Sequence, residues 1–593
     1  MSWQRALDIA VAAARDAGKI LLADLHRRDG PRGAVDKADA DLEAEGAIRG
    51  RLLASFPSWG YLGEETGRVA GGAGEPIWLV DPNDGTRDYL AGHRGSAVSI
   101  GLFAGGRPVL GVVFAFAYPD ARGDLFAGAE GCGPLTRNGV PVDRALPDAL
   151  GPLDVVLVSS KGDRDPDGNL RCAEPARYRS LPSIAHRLAA AAAGEAACVT
   201  SLHSPGAWDY AAGHALVLAA GGVLLDEQGR DIGYAADGES RTRFAFAARR
   251  PVAAEIAARP WHEIRSGPRG AYPARLERGR CIADAGLLAR AQGCLLGQIA
   301  GDSLGSRVEG ATAAAIAREH PDGGPRHLAD GGRWQTLAGQ PTDDSEMALA
   351  LARTLVAAGA WDAEHVGEAY REWYRSGPFD VGHTTRAALN GYFVAESQAN
   401  GSLMRASPLG VFTQGRPPAE GAALARSDSA LTHPHPVCGD AVAAFVVAIG
   451  HAIHHGDAAG SAYEAALRWA RDADAQSPVR AALEAARNAP PACDGEKQGF
   501  VLIALQNAFH ELLYAPSLEA GVVATVRRGG DTDTNAAVAG ALLGAVHGRD
   551  AVPPQWRSMI LSCRAHPSRA RHPRPPLYWP TDVLELAERL LLG

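Results

Sequence analysis

Between Trp261 and Arg280 the chain loses its hydrophobic period and fills with Arg, Gly and Pro, and the sequence on either side is built differently. Before this stretch, short β-rich apolar runs alternate with helical ones; after it, from Ala285, the sequence is alanine-rich and helical. A chain of 593 residues is too long for one ordinary core, so the break predicts two domains, 1–265 and 284–593, joined by a linker over 266–283. Hydrophobic residues make up 46% and charged residues 21%, enough apolar material for two cores.

In the first half, Ala6, Ile9, Ala10, Ala13, Ala14 and Ala17 fall at helical spacing, and a second helix is predicted from Ala40 to Leu53 with Asp39 at its start. Trp78-Leu79-Val80 reads as a buried strand that ends abruptly in Asp81-Pro82-Asn83-Asp84-Gly85-Thr86. In an α/β layer, the carboxyl end of a strand is where ligands gather. Asp81 and Asp84 are hard oxygen donors suited to Mg²⁺, Gly85 lets backbone N–H groups approach a phosphate, and Thr86 adds a hydroxyl at a helix start. Taken alone, the same residues also make a helix-capping turn. Ala97–Phe103 and Pro108–Phe116 predict a hairpin around Gly105-Gly106, and Asp209 opens a helix from Tyr210 to Ala220.

Together with Val35-Asp36-Lys37-Ala38-Asp39, Gly63-Glu64-Glu65 and Gly206-Ala207-Trp208-Asp209, this turn resembles the signature elements of the inositol monophosphatase and nucleotide 3'-phosphatase superfamily. The resemblance implies an α/β layered (αβαβα) metal-dependent phosphatase fold. It further implies that Glu64, Asp81, Asp84, Asp209 and the Asn83 carbonyl hold two Mg²⁺ ions, and that Asp39 and Thr86 orient the attacking water while Gly85 and Thr86 meet the phosphate. Asp39 has a second reading as a helix N-cap. The family usually has threonine where this chain has Asp36; no acid stands between Ala196 and Ala207 to hold inositol hydroxyls, and the resemblance through residues 81–96 leans toward the nucleotide-phosphatase side. Arg87, His93 and Arg94 are either contacts for further phosphates or a solvated rim.

The second half carries its own acidic loops. A small-residue helix from Gly293 to Gly305 closes on Glu309, followed by Thr342-Asp343-Asp344, Gly382-His383-Thr384, Asn400-Gly401, His433 and Asp531-Thr532-Asp533-Thr534. In this order they resemble the all-helical ADP-ribosylglycohydrolase family. The resemblance implies two Mg²⁺ or Mn²⁺ ions held by Thr342, Asp343, Asp344, Asp531, Asp533 and Thr534. Glu309 then stands near the anomeric carbon, and Gly382, His383, Thr384, Asn400, Gly401 and His433 line the ADP part. His451, His454 and His455 share a helical face but read as a solvated C-terminal turn.

A formal net charge of −9 speaks against a broad nucleic-acid or anionic-membrane surface, so a nucleic acid would enter only as a modified end. The eight cysteines form no C-x-x-C pair. Residues 1–22 fit an amphipathic helix and not a signal peptide, and no uninterrupted apolar run reaches the roughly 18 residues of a membrane span, so a cytoplasmic protein is expected. The expected whole is a bifunctional hydrolase acting on a small phosphate ester and on an ADP-ribosylated small molecule or protein. The alternative is an inositol-phosphate phosphatase carrying a regulatory or ADP-ribose-sensing second domain.

Overall fold

The computed structural model describes residues 3–264 and 280–593. Its contacts divide into two compact units, Met1–Ala285 and Gly286–Gly593. Of the stretch expected as linker, residues 266–279 lie outside the described residues. Cys281 and Ile282 bond to the first unit: the Cys281 thiol donates to the Gly92 carbonyl (3.5 Å), and the Ile282 carbonyl accepts from Arg94 (2.7 Å).

The first unit stacks helices and sheets in five layers. Helices α1 (Gln4–Leu25) and α2 (Asp39–Ser55) form the outer layer, and the buried positions of α1, among them Ala6, Ala10, Ala13, Ala14, Ala17 and Leu21, recur every three or four residues. They cover an eight-stranded sheet of β1 (Gly60–Gly63), β2 (Gly67–Val69), β3 (Ile77–Asp84), β4 (Ala97–Ala104), β5 (Arg107–Ala115), β6 (Asp124–Ala129), β7 (Thr136–Arg137) and β8 (Val140–Pro141), in spatial order β8-β7-β6-β5-β4-β3-β1-β2. Only β1 and β3 pair in parallel. The predicted hairpin is β4–β5, turning on Gly105 and Gly106, both at positive φ. After β3 comes the short helix α3 (Thr86–Leu90).

The second sheet holds β9 (Val155–Val158), β10 (Arg177–Ser180), β11 (Cys198–Ser201), β12 (Val223–Leu225) and β13 (Ala245–Ala248), in order β10-β9-β11-β13-β12. Here β9 runs parallel to both β10 and β11. Helices α5 (Ile184–Ala192) and α6 (Ala207–Ala219) fill the space between the sheets, while α4 (Pro166–Ala173) and α7 (Arg250–Ala257) cover the far face of the second. The close seat of α6 depends on glycine: a Cβ on Gly101 of β4 would stand 2.9 Å from the Ala211 Cβ and the Ala212 nitrogen.

The described residues of the second unit form helices and no β-strand, only isolated bridges. Helix α8 (Ala285–Gly305) lies against the helix Thr532–His547 along Gly293, Gly297, Gly301 and Gly305, spaced one turn apart; a Cβ on any of them would overlap backbone of the facing helix. One helix, Pro436–His455, is long and apolar enough to cross a membrane, but 78% of that stretch is buried inside the unit among neighbouring helices. His454 and His455 occupy its last turn, ahead of the left-handed Gly456.

Candidate functional sites

In the first unit, β3 is buried as far as Asn83, and its ladder with β4 shifts register between Asp81, opposite Ser99, and Asp84, opposite Ala97, which leaves Pro82 and Asn83 bulged out of the pairing. The parallel neighbour β1 ends one residue before Glu64, whose backbone N–H donates to the Val80 carbonyl (3.1 Å). Glu64 and Asp81 therefore emerge side by side at the carboxyl ends of a parallel pair. Asp209 arrives from the first turn of α6, one oxygen accepting from the Gly206 N–H (2.6 Å). One carboxylate oxygen from each of Glu64, Asp81 and Asp209 lies within 4.8 Å of the others.

Asp84 lies close enough to that trio to raise each of its carboxyls, but is held by partners of its own. Its Oδ2 accepts from the Ser183 hydroxyl (2.6 Å) and the Ala185 N–H (2.8 Å) at the start of α5. Burial and the surrounding carboxylates push Asp81 and Asp209 well above the usual range and bring Glu64 to about 7; burial also raises Asp84. None of the trio ion-pairs with a described Lys or Arg. Carboxylates converging on the buried Asp81 without a counter-charge repel one another, and an all-oxygen set of this kind fits a hard divalent cation.

The residue paired with Thr86 is Asp41, not Asp39. Asp41, 1% exposed, accepts from the Asn83 side-chain amide (2.9 Å) and the Thr86 hydroxyl (3.2 Å), and that hydroxyl lies 3.0 Å from the Asn83 carbonyl. Burial raises the Asp41 carboxyl to about 6. Asp39, the first residue of the same helix, is exposed, because two residues along an α-helix turn the side chain by about 200°. The helical face Asp41, Ala44, Glu45, Ile48 and Leu52 is the sequence signal that identifies the inward acid. Asp36 is exposed and pairs with Arg87 (3.4 Å), while Arg94 spends its guanidinium on the Ala117 and Ile282 carbonyls. Gly85 sits at φ +104°, where a non-glycine residue is strained.

In the second unit, a cleft of about 270 Å³ is lined by Glu309, Asp343, Asp344, Asp531, Asp533 and Thr534, together with Gly382, His383, Thr384, Asn400, Gly401 and His433. Thr342 lies behind it, its hydroxyl shared between Asp302 and Asp344 (2.9 Å each). Two acids escaped the sequence reading. Asp302, fully buried in α8, accepts from the Thr342 and Ser345 N–H groups and anchors the Thr342-Asp343-Asp344 turn. Asp380 groups with Glu309 and Asp533, one oxygen of each within 4.8 Å of the others. It stands two residues before Gly382, an acid next to a recognised motif.

Around this cleft, Asp531 accepts from the Asn400 amide (2.7 Å), Asp343 from the Gly382 N–H (3.2 Å) and Glu309 from the Trp334 indole (2.5 Å). Burial lifts Asp302 to about 6 and Asp380 to about 7, and with neighbouring charges drives Asp343, Asp344 and Asp533 well up. One oxygen each of Asp344 and Asp533 is buried without a hydrogen-bond partner. Orphaned carboxylate oxygens facing a polar cleft fit metal ligation. His433, held near 3 by burial, is a neutral ring whose Nδ1 lies 2.8 Å from the Thr432 hydroxyl. A Cβ at Gly401 would stand 2.9 Å from that ring.

The inositol monophosphatase family model matches residues 2–266, and the ADP-ribosylglycohydrolase model matches residues 283–592. The first half is similar to an inositol monophosphatase from Mesembryanthemum crystallinum, 34% identical over 38% of this chain and 86% of that protein. The second half is similar to the ADP-ribosyl-[dinitrogen reductase] glycohydrolase of Rhodospirillum rubrum, 32% identical over 46% of this chain and 90% of that protein. It is also 27% identical to the ADP-ribosylarginine hydrolase Tri1 of Pseudomonas putida (strain GB-1), over 45% of this chain and 73% of that protein.

Proposed function

Because the chain belongs to the inositol monophosphatase family over residues 2–266 and to the ADP-ribosylglycohydrolase family over residues 283–592, both metal-dependent hydrolase families, we propose that it is a bifunctional hydrolase. The first unit is a Mg²⁺-dependent phosphomonoesterase for a small phosphorylated sugar or nucleotide. The second is a dimetal ADP-ribosyl hydrolase, using Mg²⁺ or Mn²⁺, that releases ADP-ribose from a small molecule or a protein side chain. The observation that carries this reading is the pair of separate carboxylate clusters, Glu64/Asp81/Asp209 and Glu309/Asp380/Asp533.

In the first unit, Glu64, Asp81, Asp209 and the Asn83 carbonyl would hold the ions, with Asp84 beside them; the bound ions would supply charge neutralisation and a more acidic water. The chain itself supplies the proton path. Thr86 Oγ donates to Asp41 or the Asn83 carbonyl and so keeps its lone pairs for a water proton, and the raised Asp41 carboxyl is suited to accept a proton near neutrality. Gly85 and the first N–H groups of α3 would meet the phosphate.

In the second unit, Asp343, Asp344, Asp531, Asp533 and Thr534 would hold the metals, and Asp380 joins them. Glu309 would steady positive charge developing at the anomeric carbon, and the indole N–H of Trp334 donates to its carboxylate. Neutral His433 and Gly401 shape the wall for the nucleotide. The test is the full-length protein stripped of metal, then titrated with Mg²⁺ or Mn²⁺ on inositol 1-phosphate, adenosine 3',5'-bisphosphate and ADP-ribosylarginine. Phosphate and ADP-ribose release should both return with metal. Asp81→Ala should remove only the first, by about 10² or more, and Asp531→Ala only the second; turnover in chelator equal to that with metal would refute the reading.

A further inference from the structure

Outside both carboxylate clusters, the first unit holds a pocket of about 140 Å³ at the carboxyl ends of β9 and β11. Its charge is one-sided. Lys161, Arg164, His203, Arg243 and His262 line it, and none of the described lining residues is acidic. Arg164 and Arg243 form no ion pair with any described residue, and the buried Nε of Arg164 has no hydrogen-bond partner. The Thr200 hydroxyl, on a residue only 1% exposed, is also without a partner. Desolvation first, and then the neighbouring cations Lys161, Arg187 and Arg164, lower the His203 imidazole to about 4. Unpaired cations and orphaned donors around one cavity are what an anion would satisfy.

The topology sets this pocket beside the phosphatase centre. Val158 of β9 is in register with Ser180 of β10, and three residues beyond Ser180 the Ser183 hydroxyl binds Asp84. Thr200 lies on the other neighbour of β9, and its carbonyl accepts from Arg187 (2.5 Å), whose charge offsets part of the burial-driven rise of the Asp84 carboxyl. The strand β10 that leads to the Asp84 anchor lies one strand spacing, about 5 Å, from β9 at the edge of the pocket. A sugar carrying phosphates on two of its carbons spans a gap of that kind.

We propose that this pocket binds a second phosphate of the substrate, one that is not hydrolysed, so that the first unit selects sugars or nucleosides bearing two phosphate groups. The proposal deepens the phosphomonoesterase reading and rests on it for the identity of the neighbouring centre. Arg164, Arg243 and the Thr200 hydroxyl would donate to the phosphate oxygens, and Lys161 and His203 lie beside them.

The experiment uses the full chain and two substrate pairs, adenosine 3',5'-bisphosphate against adenosine 3'-monophosphate, and inositol 1,4-bisphosphate against inositol 1-phosphate; the pairs distinguish a nucleotide source of the second phosphate from an inositol source. With Mg²⁺, wild type should favour the bisphosphate of at least one pair by tenfold or more in kcat/KM. Arg164→Gln and, independently, Thr200→Val should reduce that ratio about tenfold through KM. No preference in wild type for either bisphosphate, or an equal loss on both members of a pair, would overturn the proposal. Calorimetric titration of the chelated protein with the same bisphosphates reads the pocket without turnover. Binding there should weaken in Arg164→Gln, and binding indifferent to that substitution overturns the subsite. Failure to hydrolyse any of the four esters with Mg²⁺ would instead remove the phosphatase reading, leaving the titration to judge the pocket.

Discussion

Asp39 and Asp41 stand two residues apart on one helix and face opposite ways, so the same side chain has opposite consequences at the two positions. Asp41 is buried against Thr86 and the Asn83 amide; Asp39 is exposed. Asp41→Asn should lower phosphate release by about 10², the scale of a lost proton acceptor, while Asp39→Asn stays within about threefold of wild type. Steady-state rates on one ester decide it, and equal losses would remove Asp41 from the mechanism. His186 gives a second test, on stability. Burial between the sheets lowers its pKa from 6.5 to about 4, so the unfolded chain binds the extra proton in that window. Its contribution is therefore intact above pH 6.5 and lost as pH falls toward 4. Relative to His186→Gln, wild type should lose about 2 kcal/mol of stability between pH 7 and pH 5, read from denaturant midpoints; a constant difference across that range would contradict the burial argument.

The two clusters differ in how their elements bring acids together, and that difference governs what was legible in the sequence. The phosphatase acids lie at ends of elements, where an apolar run stops or a helix starts, and Asp81, Asp84, Glu64 and Asp209 could be read from those stops. Asp41 was missed because Asp36, Asp39 and Asp41 precede any fixed helical phase; only the buried face they lead into, through Glu45 and Ile48, tells them apart. Asp302 was missed because a lone acid inside an apolar helix gains its meaning from Thr342 and Ser345, which reach it through tertiary packing. That packing depends on helix pairing. Gly297 of α8 meets Gly540 of the helix Thr532–His547 so closely that a Cβ on either would overlap the other's carbonyl oxygen. Gly297→Ala must push apart the helices that carry Asp302 and Asp533. It should destabilise the second unit by about 1–3 kcal/mol or more and abolish ADP-ribose release, with phosphate release kept. Full ADP-ribose release by Gly297→Ala would show that the pair tolerates separation.

At the scale of the whole chain, each unit gathers carboxylates around one buried acid, Asp81 with Glu64 and Asp209 in one and Asp533 with Glu309 and Asp380 in the other, and no described Lys or Arg ion-pairs with them. Mutual repulsion in each group opposes folding until a cation enters, and a cation that binds only the folded form stabilises it by mass action, about 2.7 kcal/mol at a concentration a hundredfold above its Kd. A chain with two separate cores unfolds in more than one step, so each step can answer to its own metals. Calorimetric melting of the full-length protein should show two transitions, both moving to lower temperature in chelator and returning with Mg²⁺. Removing one acid relieves part of the repulsion and removes a ligand together. In Asp81→Ala, one transition should therefore sit higher than wild type in chelator and stop responding to Mg²⁺, while the other keeps its full shift; Asp531→Ala should reverse the assignment. If a single substitution silenced the Mg²⁺ response of both transitions, the clusters would not be independent sites.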